Sequence, residues 1–334
     1  GTGGIDGTVY GKEDTVYVRI IQDSQTIEGG NLNHKIQLVD KVGNPVEIPA
    51  GEKITVKLQY TPLDGTDVNN SDFVNSREVE VTLDNSVKEN GYYKVQITNK
   101  TQVDFYTEGT EKYKLEITGV SQEKNTYENI TIDSKNSSVT GTILDGITLT
   151  NPQNAYVDED NFYTNKNDGT NSTTKNSNIY DTKSLGFTIP TNYETEVGTF
   201  SVNFVSAPTV TVDENNYALT SNGVAVTYTV NGNTIIGKAG NTKVFDIVLS
   251  KNGTYTYKQY ANIDHPKAGN TNTDYENFNT NDNIDLNFKF NITTTPKNGE
   301  PTTTSPTQEF KVTVNDSTPD AGTRTETVNE DGAL

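Results

Sequence analysis

An all-β fold, built as two tandem antiparallel β-sandwich domains, is what this sequence predicts. Three observations carry that reading. Short runs alternate apolar and polar residues at a period of two, turns bearing Gly and Asn separate the runs, and no helical stripe exceeds two turns. A period of two puts every second side chain on one face of a strand, so each run can bury one face and wet the other.

In chain order, "KITVKLQY" sets Ile54, Val56, Leu58 and Tyr60 against Lys53, Thr55, Lys57 and Gln59. "EVEVTL" aligns Val79, Val81 and Leu83, and "YKLEI" aligns Tyr113, Leu115 and Ile117. Further on, "IDLNFKFNI" aligns Ile284, Leu286, Phe288, Phe290 and Ile292, and "FKVTV" aligns Phe310, Val312 and Val314. Val, Ile, Thr and Tyr dominate these runs, as a pleated, half-buried surface prefers. "LDGTD", "ENG", "VNGN" and "SKNGTY" mark the turns. "KNG" between "VFDIVL" and "TYTYKQY" predicts a hairpin closed by a type I′ turn, because Asn-Gly tolerates positive φ. Tyr255 and Tyr257 in the second of those runs are expected to fill the core with their hydroxyls at its rim.

Composition narrows the function. The chain has 334 residues, 45 acidic and 26 basic, a formal charge of −19, and no Cys, Met or Trp. That charge repels nucleic acid and anionic membrane and attracts cations. No run of 18 apolar residues exists to span a bilayer. Without cysteine there are no disulfides and no thiol chemistry. Hydrophobic content is only 31%, near the disordered regime, but 18 Tyr and 11 Phe stand in regular alternation, which disordered chains do not keep. The opening "GTGG" and the missing initiator Met suggest a piece of a longer protein.

Two domains follow, 1–145 and 146–320, with 321–334 opening a further unit. Alternation lapses between 160 and 195, which predicts a long irregular loop there, and "PKNGEPTTTSPTQ" (296–308) predicts a second. Four carboxylates, Asp145, Asp158, Glu159 and Asp160, fall in or near the join of the two domains.

In order, "TIEGGNLNHKIQLVD", "GNPVEIPAGEKITVKLQY", "DGTDVNNSDF", "EGTEKYKLEITGV" and "VTGTILD" resemble the Calx-beta-like and Ig-like repeats of giant bacterial RTX-type adhesins. The matching positions are Glu28-Gly29-Gly30, Asp72-Phe73, Glu108-Gly109 with Glu111, and Ile143 with Asp145. "LTSNGVAVTYTVNGNTIIGKAG", "VFDIVLSKNGTYTYKQYANIDHP", "IDLNFKFNIT" and "FKVTVNDSTP" look like a second repeat of the type I secretion target kind. The resemblance implies an extracellular bacterial surface adhesin, exported by a type I system and serving biofilm or host attachment.

In such repeats, carboxylates clustered at domain ends bind Ca²⁺, which takes six to eight oxygen ligands. The candidates by position are Glu28, Asp72, Glu108 and Glu111 in the first domain, and Asp145, Asp158 and Asp160 at the join. Asp316, Glu330 and Asp331 are the candidates at the far end. Two unpaired carboxylates brought together repel by roughly 1 kcal/mol or more, and a divalent ion turns that repulsion into affinity. "NKNDGTN" (165–171) lacks the acids of an EF-hand loop.

Catalysis finds no support. His34 and His265 fall in different domains, and neither HExxH nor GxSxG occurs. The sequence therefore reads as a calcium-stiffened extender, a monomer whose partners are neighbouring repeats of its own chain. The alternative is a sugar- or peptide-binding module that uses the 160–195 stretch.

Overall fold

The computed structural model describes residues 15–63, 77–101, 103–162, 176–265, 283–297 and 299–316. The expectations for Asp72, Glu330 and Asp331, for 165–171 and for the unit opening at 321 lie outside those residues. The chain divides into two compact units. The first runs to Leu149 and also takes Thr188–Phe200 and Thr294–Thr303. The second takes Thr150–Phe187, Ser201–Thr293 and the chain from Thr304. The chain thus leaves the first unit after Leu149 and then returns to it twice.

The first unit is a sandwich of two five-stranded sheets. In chain order its strands are β1 (Thr15–Ile20), β2 (Ser24–Ile27), β3 (Asn31–Val39), β4 (Ile54–Pro62) and β5 (Glu78–Leu83). There follow β6 (Lys88–Glu89), β7 (Tyr92–Lys100), β8 (Thr110–Gln122), β9 (Asn129–Ile132), β10 (Ser138–Leu144) and β11 (Thr148–Leu149). One sheet has the order β6-β7-β3-β1-β9, the other β2-β10-β8-β4-β5. Their inner faces meet in one core. Val16, Val18, Ile20, Ile36 and Leu38 come from the first sheet, and Ile54, Val56, Leu58, Leu115 and Ile143 from the second. Burying each such side chain contributes about 1.5–3 kcal/mol.

The second unit begins with β12 (Ala155–Asp158), β13 (Ile179–Ser184) and β14 (Phe187–Thr188). A short helix, α1 (Tyr193–Glu196), belongs to the first unit. It leads into β15 (Gly198–Phe204), β16 (Thr209–Val212), β17 (Asn215–Asn216), β18 (Thr220–Ser221) and β19 (Val224–Asn231). The last strands are β20 (Thr234–Ala239), β21 (Thr242–Leu249), β22 (Thr254–Gln259), β23 (Ile284–Pro296), β24 (Thr303–Thr304) and β25 (Gln308–Asn315). One sheet is ordered β12-β25-β23-β16-β17, with β15 and β24 also on β23; the other is β13-β22-β21-β20-β19-β18. Tyr255 of β22 stacks on Phe310 of β25 with ring centroids 3.9 Å apart, which joins the two sheets through the core. Both Tyr255 and Tyr257 are fully buried. Their hydroxyls donate to the Gln153 carbonyl and to Gln259 Oε1.

Three details depart from the sequence reading. Most pairings are antiparallel, but β1 pairs β9, β2 pairs β10 and β12 pairs β25 in parallel. The stretch 160–195 is not one loop: β13 crosses it and, among the described residues, stands at the end of its sheet, paired with β22. Only Ile179 of β13 is buried, so the polar residues after it hid the strand. The Ser250–Gly253 hairpin is also not type I′. Gly253 has φ +86 and its N–H donates to the Ser250 carbonyl, but Asn252 keeps negative φ. The loop is a three-residue connection ending in a left-handed Gly. Both central residues take positive φ instead at Asn90-Gly91 (49° and 80°) and Asn222-Gly223 (51° and 72°).

Candidate metal centres

Among the described residues, two groups of side chains converge as metal ligands could. Glu28, Asp104 and Glu108 form one, in the first unit; Glu159, His265 and Asp316 form the other, in the second. Within each group the ligand atoms lie within 4.8 Å of one another.

The first group is built on the turn between β2 and β3. The Glu28 N–H donates to the Leu144 carbonyl (2.9 Å), and the Gly30 N–H closes the turn on Ile27 (2.9 Å). Gly29 sits at φ +82, and a Cβ there would come within 2.7 Å of Val103 and Val197, so only glycine fits. Glu28 is thereby held 4% exposed, its Oε2 accepting the Gly146 N–H at 3.0 Å. Asp104 and Glu108 come from the non-strand segment 103–109 that precedes β8. Within it Phe105, a bulky buried residue, takes φ +70. Such strain is of order 1–3 kcal/mol and persists where the surroundings over-determine it.

Burial is the main force pushing the Glu28 carboxyl up, to about 8. The Gly146 N–H opposes it, and the charges of Asp104, Asp145 and Glu108 add to it. A buried carboxylate among acids is the setting in which a cation gains most. The donors are all oxygens, which suits a hard ion such as Ca²⁺.

In the second group Glu159 follows β12 in a short 3₁₀ turn and is 0% exposed. Its Oε1 accepts the Ile263 N–H (2.8 Å) and a hydrogen bond from Gln259 Nε2. Its Oε2 is buried and, among the described residues, makes no hydrogen bond. His265 Nε2 stands 3.7 Å from that oxygen and 4.0 Å from Asp316 Oδ1. Burial pushes the Glu159 carboxyl up, against the pull of His265 and the Ile263 N–H.

The positions named from sequence are dispersed among several roles. Glu28 and Glu108 meet, and Asp145 supports them: its Oδ1 accepts the N–H groups of Glu108 (3.1 Å) and Gly109 (2.9 Å). Glu111 is buried on β8, opposite Ile143 of β10, and its carboxylate is not one of the converging three. Asp158 caps the turn beneath it by accepting the Asp160 N–H (2.9 Å). Neither Asp158 nor Asp160 joins a ligand group, whereas Asp316 does.

Asp104, Glu159 and His265 went unnamed as ligands. A signal for Glu159 was present: the period that buries Ala155 and Val157 carries on to it, and sets Asp158 and Asp160 on the other side. Nothing local marks Asp104, and His265 acquires meaning only through residues far away in sequence.

In comparisons with protein-family models and with curated proteins, nothing matches. Among solved structures the chain is similar to bacterial adhesin and S-layer domains. CfaE, the adhesive subunit of the CFA/I fimbria of enterotoxigenic Escherichia coli, is 13% identical, with a TM-score of 0.26 over 94% of this chain and 90% of that one. The CupB6 tip adhesin from Pseudomonas aeruginosa is 7% identical, with a TM-score of 0.20 over 91% and 96%. Domains 4 and 5 of the S-layer protein SbsC are 11% identical, with a TM-score of 0.22 over 91% and 99%. At such TM-scores these likenesses carry nothing about ligand or activity. No helix among the described residues is long and apolar enough to cross a membrane.

Proposed function

We propose that this chain is a structural segment of a bacterial surface adhesin, and that Ca²⁺ held by Glu28, Asp104 and Glu108 stiffens its first unit. One observation supports the reading above others: Glu28 is buried by its turn with its carboxylate among acids. A bound ion would tie the β2–β3 turn to the 103–109 segment and to Asp145, where β10 ends and the chain leaves for the second unit. The mechanism is then mechanical, and no catalytic step is assigned. The RTX-type resemblance, type I export and biofilm attachment belong to the same reading, as does stiffening between neighbouring repeats.

Millimolar Ca²⁺ should raise the melting temperature of the intact chain by several degrees, and EDTA should reverse this. A ligand at 100 times its Kd stabilises the state that binds it by about 2.7 kcal/mol. Glu28→Gln should remove most of the response. Identical melting curves in Ca²⁺ and EDTA would sink the proposal.

One observation favours a second reading, a sugar-binding module. In the second unit a cleft of about 280 Å³ is lined by Tyr156, Asp158, Asn161, Asn176 and Tyr180. The two tyrosines are 51% and 66% exposed. Aromatic faces beside amides and a carboxylate suit the apolar face and hydroxyls of a saccharide. A glycan-array signal that Tyr180→Ala removes would support this reading; a blank array would count against it.

A further inference from the structure

The Glu159, His265 and Asp316 group has no place in the calcium proposal, and its chemistry differs from that of the first site. Three observations bear on what it holds. Glu159 Oε2 is wholly buried and, among the described residues, accepts no hydrogen bond shorter than its 3.7 Å approach to His265, although a buried carboxylate oxygen ordinarily has one. The partners of Oε1 fix the carboxylate so that the other oxygen faces the imidazole: Gln259 Nε2 and the Ile263 N–H hold it on one side. Gln259 is itself held through Tyr257, whose hydroxyl donates to Gln259 Oε1 at 3.0 Å. Such a chain of outer contacts is what keeps a metal ligand in orientation.

The spacing is the second point. At 3.7 and 4.0 Å, His265 Nε2 is beyond hydrogen-bond reach of both Glu159 Oε2 and Asp316 Oδ1. Ligands about 2.0–2.1 Å from a tetrahedral zinc ion lie about 3.4 Å apart, so His265 would approach Glu159 by about 0.3 Å and Asp316 by about 0.6 Å as the site closes on an ion.

The third is donor type. An imidazole nitrogen with two carboxylates suits zinc and its neighbours, whereas Ca²⁺ prefers an all-oxygen shell. The His265 side chain is 3% exposed and that of Asp316 37%, which leaves an entry on the Asp316 side.

We propose that Glu159, His265 and Asp316 form a binding site for a divalent transition ion of the zinc class, with a water as fourth ligand. The ion joins three separate segments of the second unit: the turn after β12, the stretch after β22 and the end of β25. Its role is to fasten those segments, independently of Ca²⁺ in the first unit.

The test uses the whole chain, free of affinity tag and stripped of metal, titrated with Co²⁺ as a spectroscopic stand-in for Zn²⁺. Visible absorption should saturate at one equivalent, be displaced by Zn²⁺ and persist in a hundredfold excess of Ca²⁺. His265→Gln should weaken binding at least tenfold, while His34→Gln leaves it unchanged. If His265→Gln fails to fold by circular dichroism, Asp316→Asn, at the exposed edge of the site, takes its place with the same expected loss. The proposal is overturned by the absence of a saturable Co²⁺ spectrum, by displacement with Ca²⁺, or by undiminished binding in the folded variant.

Discussion

His34 is an imidazole enclosed in the first unit, 1% exposed. Its Nδ1 lies 2.8 Å from the Gln22 carbonyl and its Nε2 3.0 Å from the Tyr113 hydroxyl. A carbonyl only accepts, so Nδ1 carries the proton and the neutral ring satisfies both contacts. Burial lowers the His34 pKa below its ordinary value of 6.5, against the Gln22 hydrogen bond and the Asp23 charge. A folded pKa below the unfolded one means that the contribution is complete above pH 6.5. It is lost as pH falls below 6.5 toward the folded value. His34→Gln should therefore be less stable than the natural chain at pH 7.5 by about 1–2 kcal/mol, and the gap should narrow by pH 5. Urea melts of both chains at the two pH values measure this, and a gap that does not change with pH refutes it. At this scale the sequence set His34 in the first domain, apart from His265. It did not show which face the ring occupies, because Asn31–Val39 buries residues on both faces toward its end.

At the scale of elements, β10 and β8 pair with Gly141 opposite Tyr113. A Cβ on Gly141 would lie 2.0 Å from the Tyr113 Cζ. The ring cannot yield, since Tyr113 is 0% exposed, edge-on to Tyr60 at 5.0 Å between centroids, and in contact with His34. Gly141→Ala should destabilise the first unit by about 1–3 kcal/mol through overpacking, or by more if the strand shifts. A denaturation midpoint equal to that of the natural chain would contradict this packing account. That a glycine there makes room for a ring from the neighbouring strand depended on register, which residues near in sequence do not encode.

For the whole molecule, the charge of −19 makes general screening a rival explanation of any ion effect. NaCl should raise stability gradually and without saturation, and equally in Glu28→Gln, whereas the Ca²⁺ response should saturate and depend on Glu28. The two units were also only partly legible. The first unit runs to Leu149, and Thr188–Phe200 and Thr294–Thr303 rejoin it from inside the later sequence. Tyr193 and Val197, both buried, lie in one of those returning segments and carry no local mark of where they belong.

The sequence by itself determined the alternating strands and the core face that each presents. Period two makes Ile54, Val56, Leu58 and Tyr60, or Ile284, Leu286 and Phe288, apolar on one face, and a strand's faces follow from covalent geometry alone. Tertiary structure alone decided the two ligand groups. Glu28 meets Asp104 and Glu108 across about 80 residues, and Glu159 meets His265 and Asp316 across more than 100. Ligation needs side chains to converge in space, and convergence between distant strands is set by sheet order and register, which alternation within a strand leaves open.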